Sequence, residues 1–343
     1  MLIVMHHQAT SAEIDAVCST ISGLGLEPRP MPGAARTAIG VVGNDGPLDP
    51  GRFHGLPGVL EAIPVSAPYK QVSREWRPAD TVITLANGVA IGGPGVVVMG
   101  GPCSVESEEQ LMAAAEVVAE SGGSLLRGGA FKPRTSPYSF QGLGEAGLKL
   151  MAQARDRFGL AVITEAMDAE QARMVAQYAD VVQIGARNMQ NYSLLKVLGE
   201  LGRPVMLKRG MSATVKEWLL AAEYILAHGN EQVILCARGI RGFDSATRNV
   251  LDVGSVALVK QLSHLPVIAD PSHATGRREL VVPAARAAVA VGADGVIVET
   301  HPRPSEALSD GQQALYPDQF RAMVRQLEGV AAALDRPLAR MSA

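Results

Sequence analysis

Side chains that bind divalent metals recur directly after short apolar segments of this 343-residue chain. These potential donors are Cys103, His273, Glu299 and Asp310. A mixed set of sulfur, nitrogen and oxygen donors suits a borderline divalent ion such as Mn²⁺, Fe²⁺, Co²⁺ or Zn²⁺. A structural zinc site would favour more cysteines at close spacing, and the chain lacks them. We therefore expect a metal site whose ion takes part in chemistry.

Basic side chains follow other apolar segments of the same kind. They are Arg127, Lys132, Arg187, Lys208 and Arg238. Cations brought together repel one another unless an anionic ligand lies between them. Arginine binds phosphate and carboxylate through a bidentate fork, and lysine supplies a point charge. We expect a ligand with at least a phosphate and a carboxylate, and a second substrate whose carbonyl group the metal polarises. That combination indicates carbon–carbon bond formation of the aldol type on phosphorylated metabolites.

Eight apolar segments of strand length must position these groups. They begin near residues 96, 124, 161, 181, 204, 233, 266 and 295, and most intervening stretches have helical periodicity. Eight strand–helix units over about 250 residues predict an α/β fold, the (β/α)₈ TIM barrel, with chemistry at the carboxyl ends of the strands. A doubly wound open sheet is the alternative, but it rarely repeats so evenly. Closing the barrel would place the metal donors on one side of its mouth and the cations on the other.

Residues 1–67 have a different pattern and predict a small ferredoxin-like α+β domain. The expected strands are 1–6, 36–43 and 60–66, with room for one more near 27–32, and the expected helices are 11–26 and 49–59. Ser11 is the expected N-cap of the first helix. Residues 68–80 are polar and are expected to form a linker. The barrel domain would then span 81–343 and open with a β-hairpin at 81–93, because an Asn-Gly pair there stands between alternating apolar residues.

The composition excludes several classes of function. The net charge of −3 gives no overall attraction to nucleic acid or an anionic membrane, so neither partner is expected. Three scattered cysteines do not form a disulfide framework. The opening MLIVMHHQ lacks the features of a signal peptide, and no apolar run reaches the ~20 residues that a membrane helix needs. We expect a protein of the reducing cytoplasm.

Motifs at all eight strand ends resemble those of the 3-deoxy-D-arabino-heptulosonate 7-phosphate (DAHP) synthase family, in its type Iβ group with an N-terminal ferredoxin-like domain. The motifs are GPCSVES (101–107), GGAFKPRTSPYSFQGLG (128–144), EAMD (165–168), QIGARNMQN (183–191), LKRG (207–210), CARGIRGFD (236–244), DPSHATGRR (270–278) and VETHPRPSEALSDG (298–311). The resemblance spans the whole barrel, whereas residues 1–67 match more by pattern than by motif.

The resemblance implies a transferase that condenses phosphoenolpyruvate with erythrose 4-phosphate and releases phosphate. This is the first step of the shikimate pathway, which leads to chorismate and the aromatic amino acids. A divalent metal is implied, first of all Mn²⁺, with Co²⁺, Fe²⁺ or Zn²⁺ as alternatives. The implied metal ligands are Cys103, His273, Glu299 and Asp310.

The resemblance also assigns roles to the other polar residues at the barrel mouth. Arg187, Lys208 and Arg238 would bind the phosphate of phosphoenolpyruvate, and Arg127, Lys132 and Lys208 its carboxylate region. Arg134 and Thr135 would contact erythrose 4-phosphate. Glu165 would position phosphoenolpyruvate and the reacting water. The expected catalytic groups are Lys132, Glu165 and His273, and the group that handles the proton of the water is left open between Glu165, His273 and the leaving phosphate.

Alternatives concern the sugar substrate and the N-terminal domain. The rival activity is that of 3-deoxy-D-manno-octulosonate 8-phosphate synthase, which uses arabinose 5-phosphate. That family typically reads Lys-Ala-Asn-Arg-Ser-Ser after strand 2, whereas this chain reads KPRTS at 132–136, which favours the four-carbon sugar. A non-catalytic reuse of the barrel is disfavoured, because every donor and every cation is present. The N-terminal domain would bind tyrosine or phenylalanine as an allosteric inhibitor, or would only cap the barrel, and the family implies a homotetramer.

Overall fold

The computed structural model describes residues 1–33, 36–44, 48–64, 68–134 and 136–341. The chain divides into two units, Met1–Pro78 and Ala79–Ala343, and each has its own hydrophobic core. Among the described residues, no helix is both long and apolar enough to cross a membrane.

The first unit has the ferredoxin-like arrangement that the sequence predicts. Its strands are β1 (Leu2–Met5), β2 (Glu27–Pro32), β3 (Thr37–Val42) and β4 (Val59–Ile63), and its helices are α1 (Ser11–Gly23) and α2 (Gly51–His54). The strands form an antiparallel sheet in the order β2-β3-β1-β4. The optional strand near 27–32 is present, and the second helix is shorter than expected. Its core packs Ile3, Ile21, Ile39 and Phe53.

The N-cap of the first helix lies one residue earlier than the sequence pattern suggested. Thr10, not Ser11, is the N-cap of α1, so the prediction for Ser11 is wrong. The Thr10 hydroxyl accepts a hydrogen bond from the backbone N of Glu13, and the Glu13 carboxylate accepts one from the backbone N of Thr10. This reciprocal capping box requires a glutamate three residues after the cap, and Glu13 stands at that distance from Thr10 only.

The segment after β4 packs apolar side chains although its composition is polar. Tyr69, Val72 and Trp76 are buried, and the indole of Trp76 lies against the backbone of Gly40 in β3. A Cβ at Gly40 would lie 1.6 Å from the indole, so only glycine fits there. Trp76 thereby belongs to the packing of the first unit.

The second unit is a closed barrel of eight parallel strands, which confirms the predicted fold class. The barrel strands are β7 (Val97–Gly101), β8 (Leu125–Arg127), β9 (Ala161–Ala166), β10 (Val181–Ile184), β11 (Val205–Lys208), β12 (Val233–Ala237), β13 (Val267–Ala269) and β14 (Gly295–Glu299). A hairpin of β5 (Ile83–Thr84) and β6 (Ala90–Ile91) precedes them. The barrel interior is filled by side chains such as Met99, Ile163, Met206 and Ile268, and Cys236 is one of these core residues.

Helices alternate with the barrel strands. They are α3 (Glu108–Glu120), α4 (Glu145–Phe158), α5 (Ala169–Tyr178), α6 (Tyr192–Glu200), α7 (Val215–Ala227), α8 (Val253–Leu262), α9 (Pro271–Thr275), α10 (Arg278–Ala290) and α11 (Pro317–Ala332). Ser107 caps α3 and Thr214 caps α7, as their residue types favour. Because every parallel strand points the same way, the polar residues after the strands meet at one mouth.

Candidate active site at the barrel mouth

The four expected metal donors lie together at the mouth. The Sγ of Cys103, a ring nitrogen of His273 and carboxylate oxygens of Glu299 and Asp310 all lie within 4.8 Å of one another. Cys103 follows β7, Glu299 ends β14 and His273 lies on α9, whereas Asp310 lies in the loop between β14 and α11. Glu299 and Cys103 are buried, so the cluster opens to the mouth on the side of His273 and Asp310.

A buried carboxylate behind the cluster fixes the imidazole of His273. Asp270 accepts hydrogen bonds from the Nδ1 and the backbone N of His273, at 2.8 and 3.0 Å. It also accepts one from the Nζ of Lys208 at 2.6 Å. Burial by itself would raise the pKa of Asp270, but the neighbouring His273 and Lys208 hold it well below its usual range. With Nδ1 occupied, the Nε2 of His273 faces the other donors and lies 3.2 Å from Glu299.

Glu299 is held by two buried partners. Arg127 Nη1 donates to Glu299 Oε1 at 3.1 Å and to the carbonyl oxygen of Pro102 at 2.7 Å. Gln313 Nε2 donates to the other carboxylate oxygen at 2.7 Å. Burial opposes ionisation, yet the pKa of Glu299 is lowered because His273 and Arg127 stabilise the carboxylate. Glu299 is thus an anion oriented toward the cluster.

Lys132 connects the donor cluster with the adjoining cavity. Its Nζ lies 3.0 Å from the Sγ of Cys103 and 2.9 Å from the carbonyl oxygen of that residue. Burial, reinforced by Glu299, raises the pKa of the Cys103 thiol to about 12, although Lys132 and Arg127 favour the thiolate. The lysine alone therefore does not ionise the thiol, and ionisation would need a further positive charge such as a metal ion.

An open cavity of about 740 Å³ adjoins the cluster. Its cationic lining residues are Lys132, Arg134, Arg187, Lys208, Arg238 and Arg248. Nη1 of Arg238 and Nη2 of Arg134 are buried and have no hydrogen-bond partner among the residues that the structure describes. Buried polar groups are normally paired, so these two guanidinium groups suit an incoming anion. His273 and Asp310 also line the cavity, so it reaches the metal-type donors.

Glu165 lies in the same cavity, and the glycine of the neighbouring strand end leaves room for it. The Nε2 of Gln183 donates to the Glu165 Oε2 at 3.2 Å. A Cβ at Gly185 would lie 2.1 Å from the other carboxylate oxygen of Glu165. The carboxylate therefore occupies space that any other residue at position 185 would take.

The structure brings most of the expected site residues together at the mouth. It does not separate the metal-type donors from the cations as completely as the sequence predicted. Arg127 and Lys132 contact the donors Glu299 and Cys103, not a separate cationic half. The reason is that Arg127 ends β8 and Lys132 lies in the loop after it. β8 pairs with β7, which Cys103 follows, and β7 pairs in turn with β14, which ends at Glu299. Arg127 is not part of the cavity lining, and Thr135 lies outside the described residues.

Several polar residues of the site had no assigned role in the sequence. Asp270 was visible in the DPSH motif, and His273 is its neighbour there, but its other partner, Lys208, lies 62 positions away at the end of β11. Arg248 donates to Asp310 Oδ1 at 3.4 Å and to Gln313 Oε1 at 3.2 Å. Gln313 is fully buried. Its importance could not be seen in the sequence, because a glutamine in a polar loop is normally exposed and only the structure shows that this side-chain amide is buried.

The fold and this site together define the class of the protein: a (β/α)₈-barrel enzyme whose mouth joins potential metal ligands to an anion-binding cavity. A family model described as DAHP synthetase I family matches residues 80–336, and a model described as DAHP synthase ferredoxin-like domain matches residues 1–67. The chain belongs to the DAHP synthase family, which confirms the resemblance seen in its motifs.

Individual relatives agree with this assignment. Phospho-2-dehydro-3-deoxyheptonate aldolase of Thermotoga maritima is 48% identical over 334 residues, which are 97% of this chain and 98% of that protein. A crystal structure of the Thermotoga maritima enzyme, also called DAHP synthase, is 47% identical, has a TM-score of 0.79 and covers 98% of both chains. A truncated form of 3-deoxy-D-arabino-heptulosonate 7-phosphate synthase from the same organism covers 78% of this chain, with a TM-score of 0.73 and 48% identity.

Relatives with the rival activity are more distant. The 2-dehydro-3-deoxyphosphooctonate aldolase of Syntrophotalea carbinolica, an enzyme of the eight-carbon sugar acid, is 31% identical over 254 residues. That alignment covers 68% of this chain and 90% of that protein. The eight-carbon alternative is therefore not favoured.

Proposed function

We propose that this enzyme condenses phosphoenolpyruvate with erythrose 4-phosphate to give DAHP and phosphate, the first step of the shikimate pathway. The observation that carries the proposal is the position of Lys132, whose Nζ lies 3.0 Å from the Sγ of Cys103 while its side chain lines the cationic cavity. A carbonyl substrate at the donor cluster and an anionic substrate in the cavity would therefore be neighbours. Holding two reactants in register supplies much of the rate of such a reaction.

The donor set fits a divalent metal. One thiol, one imidazole and two carboxylates converge within 4.8 Å. Asp270 accepts a hydrogen bond from the imidazole, as a carboxylate commonly does behind a histidine that binds a metal. We propose Cys103, His273, Glu299 and Asp310 as the ligands and Mn²⁺ as the native ion, with Co²⁺, Fe²⁺ or Zn²⁺ as alternatives. When bound, the ion would polarise the aldehyde oxygen of erythrose 4-phosphate.

The cavity residues would bind and orient the two substrates. We assign the phosphate of phosphoenolpyruvate to Arg187, Lys208 and Arg238, which line the cavity. We assign its carboxylate region to Arg127, Lys132 and Lys208, of which Lys132 and Lys208 line the cavity. The unpaired guanidinium nitrogen of Arg238 supports this assignment. Arg134, whose Nη2 is also unpaired, would bind erythrose 4-phosphate, and we assign Thr135 to the same substrate from the sequence.

The bond changes follow from the substrates. Carbon 3 of phosphoenolpyruvate attacks the aldehyde carbon, and the aldehyde oxygen takes up the electron pair and then a proton. Carbon 2 becomes electron-poor and is captured by water, which loses a proton. The resulting hemiketal phosphate releases phosphate by cleavage of its C–O bond. We assign Glu165, which lines the cavity beside the anion-binding residues, to positioning the water. Glu165 and the leaving phosphate are the groups that could take the proton of the water, because Asp270 and the proposed metal would occupy both ring nitrogens of His273.

Phosphate release tests both the reaction and the metal site. The assay combines phosphoenolpyruvate and erythrose 4-phosphate with full-length protein, before and after treatment with EDTA and after addition of Mn²⁺. We expect activity that EDTA abolishes and Mn²⁺ restores, because the aldehyde needs a Lewis acid. Arabinose 5-phosphate in place of erythrose 4-phosphate is the control, and exclusive use of it would establish the eight-carbon reaction instead. Absence of turnover with every divalent metal would overturn the proposed activity.

We further propose that residues 1–67 regulate the enzyme by binding tyrosine or phenylalanine. The match of these residues to the ferredoxin-like domain of the family supports a regulatory domain, and the alternative is a domain that only caps the barrel. Inhibition by tyrosine or phenylalanine should disappear when residues 1–67 are removed, while turnover remains. The solved truncated relative supports the use of such a shortened chain. A full-length protein that ignores every aromatic amino acid would contradict the proposal.

We also propose a homotetramer in the cytoplasm. Light scattering on the purified chain would give its mass in solution, and a monomer would contradict the tetramer. The cytoplasmic location follows from the proposed substrates, because both are charged phosphate esters that do not cross membranes unaided.

A further inference from the structure

Asp310 differs from the other three donors in the backbone that carries it. Cys103, His273 and Glu299 lie at or next to a barrel strand or on a helix, but Asp310 lies in the irregular loop between β14 and α11. Its φ angle is 51°, in the left-handed region that non-glycine residues seldom adopt. Such a backbone persists only where its surroundings hold it in place. The contacts of this loop therefore decide whether Asp310 reaches the other donors.

The carboxylate of Glu106 provides the contacts of the loop segment that precedes Asp310, whereas Arg248 contacts Asp310 itself. Its Oε1 accepts hydrogen bonds from the backbone N of Leu308 at 2.9 Å and from the Ser104 hydroxyl at 3.1 Å. Its Oε2 lies 3.4 Å from Nε2 of His301. Because the Nδ1 of His301 accepts a hydrogen bond from the backbone N of Arg303, a neutral imidazole carries its proton on Nε2 and points it at Glu106.

A second contact ends at the residue next to Asp310. The hydroxyl of Ser104 lies 2.9 Å from the hydroxyl of Ser309, and both serines are buried. Glu106 is itself anchored, because its backbone N donates to Oε1 of Gln110 at 3.3 Å and Nε2 of Gln110 donates to the carbonyl oxygen of Ser104 at 3.1 Å. Gln110 lies in the first turn of α3. The hydrogen bonds thus run from a barrel helix to positions 308 and 309.

We infer that Glu106 is a positioning residue of the metal site, which holds the loop so that Asp310 meets the other three donors. The inference rests on the proposed metal site. Glu106 lies outside the cavity lining, and its hydrogen-bond partners among the described residues lie in loops or on α3. Without its carboxylate the loop can relax and withdraw Asp310, whereas Cys103, His273 and Glu299 stay in place because strands and a helix carry them. Outer partners of metal ligands are typically worth about 10- to 100-fold in affinity.

Cobalt titration of the metal-free, full-length protein tests this role. Co²⁺ bound to a thiolate gives a charge-transfer absorption, so the spectrum reports Cys103 and the titration reports affinity. We expect Glu106→Ala to raise the Kd for Co²⁺ roughly 10- to 100-fold while the thiolate absorption persists. Glu106→Gln, which keeps an acceptor for Leu308 but can lose the contact with His301, should show a smaller loss. Glu116→Ala removes an exposed carboxylate from α3 and should leave the Kd unchanged.

A double-mutant cycle with Asp310→Ala separates positioning from general structure. If Glu106 acts through Asp310, Glu106→Ala should weaken Co²⁺ binding no further in the Asp310→Ala protein. Equal losses in both backgrounds, or a wild-type Kd in Glu106→Ala, would overturn the inference. Ser309→Ala should also weaken Co²⁺ binding. This variant takes the place of Glu106→Ala in the cycle if the Glu106→Ala protein does not fold. A wild-type chain that binds no Co²⁺ would overturn the metal site and this inference together, whereas tight Co²⁺ binding without turnover would contradict the proposed reaction alone.

Discussion

Lys208 and Asp270 form a buried ion pair at the barrel mouth, with 2.6 Å between Nζ and Oδ2. The same carboxylate accepts the Nδ1 hydrogen bond of His273 at 2.8 Å. Asp270 thus joins a residue that lines the anion cavity to a residue of the donor cluster. A change at this one carboxylate should therefore affect stability, anion binding and metal binding at once.

Asp270→Asn should weaken both the metal site and the fold. Asparagine keeps the size of the side chain but leaves Lys208 as an unpaired buried cation, which costs about 3–5 kcal/mol in the free energy of unfolding. It also loosens His273, so the Kd for Co²⁺ should rise by roughly 10- to 100-fold. Urea unfolding and cobalt titration measure the two effects. Asp318→Asn is the control, because Asp318 is exposed, pairs with Arg321 at the surface and lies outside the cavity lining. An Asp270→Asn protein as stable as that control would contradict the prediction.

Alanine variants of the two arginines with unpaired buried nitrogens should each impair the binding of a different substrate. Arg238→Ala should raise the KM for phosphoenolpyruvate, and Arg134→Ala should raise the KM for erythrose 4-phosphate, each with little effect on the other substrate. Loss of a hydrogen bond to a charged group costs about 1.5–3 kcal/mol, which is roughly 10- to 100-fold in KM. Steady-state kinetics with each substrate varied in turn measures this. Identical effects of the two variants on both substrates would contradict the assignment.

Gly185→Ala should displace the carboxylate of Glu165. The added Cβ would lie 2.1 Å from Oε1, so the carboxylate must move by an ångström or so, and such a misplacement can cost about 100-fold in rate. We expect kcat to fall while the Kd for Co²⁺ stays unchanged, because Glu165 is not one of the four donors. Gly329→Ala in α11 is the matched control, since its Cβ would meet nothing within 4 Å. Wild-type kcat in Gly185→Ala would show that the carboxylate of Glu165 does not act from this position.

Gly40→Ala should destabilise the first unit. Its Cβ would lie 1.6 Å from the indole of Trp76, and overpacking of this kind costs about 1–3 kcal/mol. Thermal unfolding followed by far-UV circular dichroism would show the loss. Trp76→Phe in the same chain should recover part of it, because the smaller ring lacks the atoms that collide. Gly23→Ala, with nothing within 4 Å of the new Cβ, should have no such effect; equal stability of the two alanine variants would mean that the indole does not lie on Gly40.

Local patterns were enough to predict most of the fold. The eight apolar segments became β7 to β14 within a residue or two, because a strand buried on both faces reads as a continuous apolar run. The cap of α1 was misplaced by one residue, since Thr10 and Ser11 are both good capping residues and only the partner at Glu13 distinguishes them. The second helix was predicted too long, because the expected segment 49–59 includes Gly55, Pro57 and Gly58, and the observed helix ends at His54 before them.

The sequence by itself determined which residue types stand at the barrel mouth, because each follows a strand and parallel strands end at one face. Only the tertiary structure decided which of them touch. Barrel closure set β14 beside β7, which pairs with β8 on its other side, and so placed Arg127 on Glu299. The loop after β8 placed Lys132 on Cys103. Barrel packing likewise brought Lys208 to Asp270, 62 positions away, and Leu308 to Glu106, 202 positions away. These contacts depend on long-range packing, which no local periodicity encodes.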